Sequence, residues 1–191
     1  MVFKKNEEPQ APPQPSQQKH EDHSKSCHML SEAMQNLLEA QLSHEQYNHN
    51  LYRSFANFFG TQGFILLEEY YNGRAAEEMK HFDWIVDYLN ERDAHIAYPA
   101  ADAITEKPSN MAEPFQMTIA KEVETTDLIF KLLEQSREEK DYMTEAWLMS
   151  PGKLIQEQTE EESISRTAFD IANGEGDWFT KERAILKAYK D

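Results

Sequence analysis

Four long stretches of this chain repeat apolar residues at three- and four-residue steps, and each carries glutamate in its middle. Such a pattern folds as packed amphipathic helices. It also raises a question of charge, because an acid inside a packed interior must be paired or bound to a metal. The first stretch runs over 29–59. Leu30, Met34, Leu37 and Leu38 open its apolar stripe, and Leu51, Phe55, Phe58 and Phe59 continue it to a stop at Gly60-Thr61-Gln62-Gly63. The second, over 64–92, has Ile65, Leu66 and Tyr70 at one end and Phe82, Ile85, Val86 and Leu89 at the other. Gly73 lies inside it, at a cost of roughly 1 kcal/mol against alanine.

The third helix is expected over 112–139, with Ile119, Val123, Phe130 and Leu133 as its core face. The fourth is expected over 144–173, ending at Asn173-Gly174. Within it, Ser150-Pro151-Gly152 fits either a cap with proline at the first helical position or a kink inside a longer helix. A short fifth helix over 177–189 carries Trp178, Phe179, Ile185, Leu186 and Tyr189. The segment from Asp93 to Asn110, with Pro99 and Pro108, is long for a helix–helix link. Such a link is needed when consecutive helices run parallel. No strand-like alternation persists. The expected fold class is therefore all-α: a four-helix bundle with one long crossover between helices 2 and 3, plus a short C-terminal helix.

Residues 1–27 are rich in Gln, Pro, Ser, Lys and Glu, and have too few apolar groups to offset ordering entropy. They read as a flexible tail before a single domain over 28–191. His20, His23, Cys27 and His28 in this region form either a weak metal trap or a polar linker. Cys27 is the only cysteine. With no signal-type apolar stretch at the start, this leads us to expect a cytoplasmic protein. No apolar run approaches the roughly 20 residues that span a bilayer, so no membrane partner is expected. A net charge of −16 and the lack of Lys/Arg clusters disfavour nucleic acid. The acidic excess suits attraction of cations, or serves solubility alone.

The mid-helix acids fall one group per helix. Glu45 lies on the first, with Tyr52 two turns along the same face. Glu78 and His81 lie three apart on the second, Glu122 on the third, and Gln158 and Glu161 three apart on the fourth. Di-metal carboxylate bundles take a Glu from each of two helices and Glu-x-x-His from each of the other two. The fourth helix departs from this, offering Gln158-x-x-Glu161. Carboxylates are hard donors that neutralise two divalent ions, and imidazole suits iron. Two Fe(II) ions, each giving one electron, reduce O2 to the peroxide level.

With Glu77-Glu78-Met79-Lys80-His81, Glu157-Gln158-Thr159-Glu160-Glu161, Glu45 and Glu122 in register, the chain resembles the bacterial non-haem ferritins from about Leu30 onward. Gly174-Glu175-Gly176-Asp177-Trp178-Phe179 resembles the ferritin junction into the short last helix. The resemblance implies a ferritin-like di-iron domain and a homo-oligomeric cage of 24 copies as the partner assembly. It implies a ferroxidase that takes Fe(II) with O2 or peroxide and stores the ferric mineral. Glu45, Glu78 and His81 would hold one iron. Glu78 would bridge to a second held by Glu122 and Glu161, with Gln158 near the bound oxygen species and Tyr52 beside the centre as electron donor or hydrogen-bonding partner. Glu77, Glu157 and Glu160 would match a third iron site. Lys153 stands where the family often has an aromatic residue. Haem-binding relatives carry Glu-x-x-His on the fourth helix, so no haem is expected here despite Met79. A metal-free interaction bundle is the reading from another class, with the acids as solvated faces.

Overall fold

The computed structural model describes residues 29–98 and 100–190. The tail, with His20, His23, Cys27 and His28, lies outside the described residues. The helices are α1 (Glu32–Gly60), α2 (Ile65–Glu91), α3 (Glu113–Glu139), α4 (Tyr142–Leu148), α5 (Leu154–Asn173) and α6 (Trp178–Lys190). Among the described residues all regular structure is helical, and no helix is long and apolar enough to cross a membrane.

Local chemistry sets the ends. The Ser31 hydroxyl caps α1 by accepting from the Met34 amide at 3.0 Å. Gly63, at φ 84°, makes the tight reversal into α2. Pro114 sits in the first turn of α3, where its missing N–H is harmless. Lys140 closes α3 in the left-handed conformation, φ 58°. The Asp141 carboxylate then caps α4 through the Thr144 amide and hydroxyl at 3.2 and 2.6 Å.

Long-range bonds fix the helix directions. Ser31, at the start of α1, donates to Glu139 at the end of α3. Arg92, just past α2, binds Asp141 at the start of α4. Phe115, at the start of α3, packs on Phe59 and Tyr70 from the other end. Thus α1 is antiparallel to both α2 and α3, and α2 and α3 run parallel. The link between them travels the length of the bundle, held partway by Tyr47 donating to Glu106 at 2.5 Å.

Three expectations are corrected. The single helix over 144–173 is two helices, α4 and α5, separated by residues 149–153. Pro151 has no N–H to give and its ring opposes the carbonyl of the preceding turn, while Gly152 takes φ 69°. The core face of α3 is also different. Its buried residues are Pro114, Phe115, Thr118, Glu122, Thr125, Ile129, Leu132 and Ser136, whereas Val123 and Phe130 are 39% and 49% exposed. The hydroxyls on this inner face bond locally: Thr118 donates to the Pro114 carbonyl and Thr125 to that of Lys121. The face therefore reads as polar in sequence although it is buried. Ile65 and Phe179, expected in apolar stripes, are exposed as well.

Two apolar clusters form the core. One gathers Leu51, Phe55, Phe59, Tyr70, Tyr71 and Phe115 near the α1–α2 turn. The other gathers Met34, Leu38, Ile85, Leu89, Ile129 and Leu132 toward the far end. Between them lies a buried layer of polar and charged side chains.

Candidate metal centre

Each of α1, α2, α3 and α5 sends polar or charged side chains into this layer. Gln41, Glu45 and Asn48 come from α1, Arg74, Glu78 and His81 from α2, Glu122 and Thr125 from α3, and Gln158 and Glu161 from α5. Glu45 and Glu122 are fully buried, and Glu78, His81 and Glu161 nearly so. The side chains converge as two triplets that share Glu78. Glu45, Glu78 and His81 bring one ligand atom each within 4.8 Å of one another, and Glu78, Glu122 and Glu161 do the same.

The hydrogen bonding separates ligand atoms from supporting atoms. Glu45 Oε1 accepts from Gln41 Nε2 at 2.6 Å. Glu122 Oε1 accepts from the Tyr52 hydroxyl at 2.5 Å, and Glu122 Oε2 from Gln158 Nε2 at 3.0 Å. In contrast, Glu45 Oε2 and both oxygens of Glu78 and of Glu161 have no hydrogen-bond partner, nor does either nitrogen of His81. Buried polar atoms are almost always satisfied. A cluster of orphan carboxylate oxygens with one imidazole lone pair, gathered within 4.8 Å in each triplet, fits a cation.

Protonation follows from burial and crowding. Burial, then the Glu45 and Glu122 charges, push the Glu78 carboxyl well above the usual range. Burial likewise raises Glu45 and Glu161, with Arg74 opposing it at Glu161. Burial lowers His81 to about 4, so its imidazole is neutral at physiological pH and its lone pair is free. The Tyr52 phenol is raised by burial and then by Glu122, and remains a donor.

Glu45, Tyr52, Glu78, His81, Glu122, Gln158 and Glu161 are thus brought into one layer. The three remaining glutamates are placed otherwise. Glu157 lies with His81 and Glu161 in a third, partly open triplet and also pairs with Lys80 at 2.9 Å. Glu77 and Glu160 stand outside all three groups. Glu77 accepts from Arg74 and from the Tyr189 hydroxyl, at 2.9 and 3.0 Å, and Glu160 accepts from Gln156. Sequence reasoning missed Arg74 and Gln41, although each lies four residues before a glutamate of the site and so on the same helical face. It also missed Trp84, whose ring lies 5.3 Å from that of His81. The Lys80 and Lys153 ammonium groups sit 4.5 and 4.4 Å from the Trp84 ring centre.

The chain is similar to known proteins in sequence and in fold. The ferritin family, described as a ferritin-like domain, matches residues 35–173. The bacterial non-heme ferritin of Staphylococcus saprophyticus is 30% identical over 149 residues, covering 78% of this chain and 87% of the relative. That of Staphylococcus aureus is 30% identical over a stretch covering 78% and 88%. An open-pore ferritin from the hyperthermophilic archaeon Archaeoglobus fulgidus superposes with a TM-score of 0.76 at 25% identity, covering 84% of this chain and 99% of its own. A closed form of that ferritin, engineered by site-directed mutagenesis, gives 0.75, covering 83% and 94%. With the family match spanning most of the chain and reaching every helix of the buried layer, the protein belongs to the ferritin family.

Proposed function

We propose that the protein is an iron-storage ferritin subunit with ferroxidase activity, oxidising Fe(II) at the buried layer and holding the ferric product inside a homo-oligomeric cage of 24 copies. The observation that carries this reading is the set of orphan ligand atoms on Glu45, Glu78, His81 and Glu161. Glu45, Glu78 and His81 receive one Fe(II). Glu122 and Glu161 receive the second, with Glu78 between them. Each Fe(II) gives one electron, and O2 takes both with two protons to leave as hydrogen peroxide. The chain's own part is to hold the two ions side by side and to keep bulk water out. Tyr52 and Gln158, bonded to the two oxygens of Glu122, fix the orientation of that carboxylate. Glu157, shared with His81 and Glu161, is the residue by which a ferric ion leaves the layer, because it alone of that triplet is partly exposed.

The test is anaerobic loading with Fe(II) followed by exposure to air, read by ferric absorbance and by particle size. Rapid oxidation at about two irons per chain on a large hollow particle is the expected result, with Glu45→Ala and Glu78→Ala abolishing the rapid phase. Oxidation no faster than the protein-free control would sink the ferroxidase reading.

A further inference from the structure

Arg74 has no role in the scheme above, yet its side chain is fully buried in the ligand layer. A guanidinium out of water must be matched by charge and hydrogen bonds. Burial alone would lower its proton affinity, but the Glu122 and Glu161 carboxylates outweigh that, and it stays charged. One terminal nitrogen donates to Glu122 Oε1 at 2.6 Å. The other donates to Glu77 at 2.9 Å and lies 3.5 Å from Glu161 Oε1.

This makes the two metal positions unequal. At the first, Glu45 Oε2 and both Glu78 oxygens are unpaired, and neutral His81 has one lone pair to give. At the second, both oxygens of Glu122 are engaged: Oε1 by Arg74 and Tyr52, and Oε2 by Gln158. Glu161, whose two oxygens also have no hydrogen-bond partner, lies 3.5 Å from the same guanidinium. A divalent ion arriving between Glu122 and Glu161 meets a cation already there, a few ångströms away and shielded from water, where like charges repel strongly.

We propose that Arg74 is a tethered cation occupying the carboxylates of the second position, so that the two positions fill in order. The first ion binds at Glu45, Glu78 and His81. The second binds only as the guanidinium gives up Glu122 and turns toward Glu77, which it already touches. Arg74 is thus a positioning residue that sets the gap between two affinities. The proposal rests on the two-metal reading of the layer.

Titration of the full-length, metal-free protein with Zn(II), followed by calorimetry, separates the two ideas without any oxidation. Wild type is expected to bind one ion tightly and a second about a hundredfold more weakly. Arg74→Gln is expected to narrow that gap to about tenfold or less, chiefly by tightening the second step, and to lower the melting temperature of the metal-free protein. Arg74→Lys keeps the charge but not the two-pronged reach, and gives an intermediate gap if the glutamine variant does not fold. Equal affinities in wild type, or a gap unchanged in the folded variants, overturns the role of Arg74 while leaving the two-metal reading intact. No Zn(II) binding in wild type removes that reading itself.

Discussion

Gly73→Ala sets two effects of opposite sign against each other in α2. In a helix interior, alanine is favoured over glycine by about 1 kcal/mol. Here, however, the new methyl would lie 2.9 Å from Tyr189 Cε1 and Cζ and closer still to the hydroxyl. The tyrosine ring must leave. It then loses its hydrogen bond to Glu77, at 3.0 Å, and its edge-on contact with Tyr70, at 5.3 Å between centroids. The first is worth about 1–3 kcal/mol and the second about 0.5–1.5 kcal/mol. Setting these against the helix gain leaves a net destabilisation of about 0.5–3.5 kcal/mol. Thermal unfolding reads the sign, and hydrogen exchange of the α6 amides over 185–190 reads the place. In a Tyr189→Ala background the obstacle is gone, so the same glycine substitution should stabilise by about 1 kcal/mol. An equal sign in both backgrounds would refute the reasoning, since it would show that Gly73 is not held small by Tyr189.

Three further outcomes are expected. Glu78→Gln raises the stability of the metal-free protein at pH 7 by about 0.5–2 kcal/mol, as relief of a strained functional group does, and loses tight Zn(II) binding. The carboxyl is raised in the folded state, so its penalty exists above the unfolded value and vanishes below it. The gain should therefore shrink as pH falls toward the ordinary glutamate value of 4.5, and a gain that grew on acidification would contradict the assignment. Metal binding should release protons at neutral pH, from the raised carboxyls and not from His81, which is already neutral. Calorimetry in buffers of different ionisation enthalpy counts those protons, and affinity should climb with pH. Finally, Arg92→Met takes from the Asp141 carboxylate the guanidinium that contacts it at 3.0 and 3.2 Å, leaving its bonds to Thr144. This should cost about 1–3 kcal/mol and loosen α4 in hydrogen exchange, while the first metal step, about three turns back along α2, keeps its affinity.

What was legible in the sequence was whatever repeats with the helix. The stripes of α1 and α2 lead directly to Met34, Leu38, Phe55, Phe59, Ile85 and Leu89, all buried. Mid-helix acids at matching depths are visible in the same way, because burying a carboxylate without purpose is costly. The inner face of α3 escaped, since Thr118, Thr125 and Ser136 look like surface residues until their hydroxyls are seen bonded to carbonyls one turn back. Arg74 escaped for a related reason. A lone arginine in a charged helix reads as solvated, and only three-dimensional packing shows three carboxylates around it. The break before α5 was visible as Pro151-Gly152, but periodicity alone does not distinguish a kink from a complete interruption.

That interruption has a consequence for how much length the chain tolerates. In an unbroken helix, one added residue turns every later side chain by about 100° and shifts it about 1.5 Å along the axis. Such a slip before Gln158 and Glu161 would carry both out of the layer. Here α5 starts afresh at Leu154, with Gln158 anchored to the backbone and side chain of Glu122. Upstream, α4 is anchored separately by Asp141 to Arg92. Residues 149–153 thus uncouple the phase of α4 from the phase of the ligands. Insertions or deletions there change loop length rather than the direction in which Gln158 and Glu161 point, which makes this turn a natural joint for variation or for grafting.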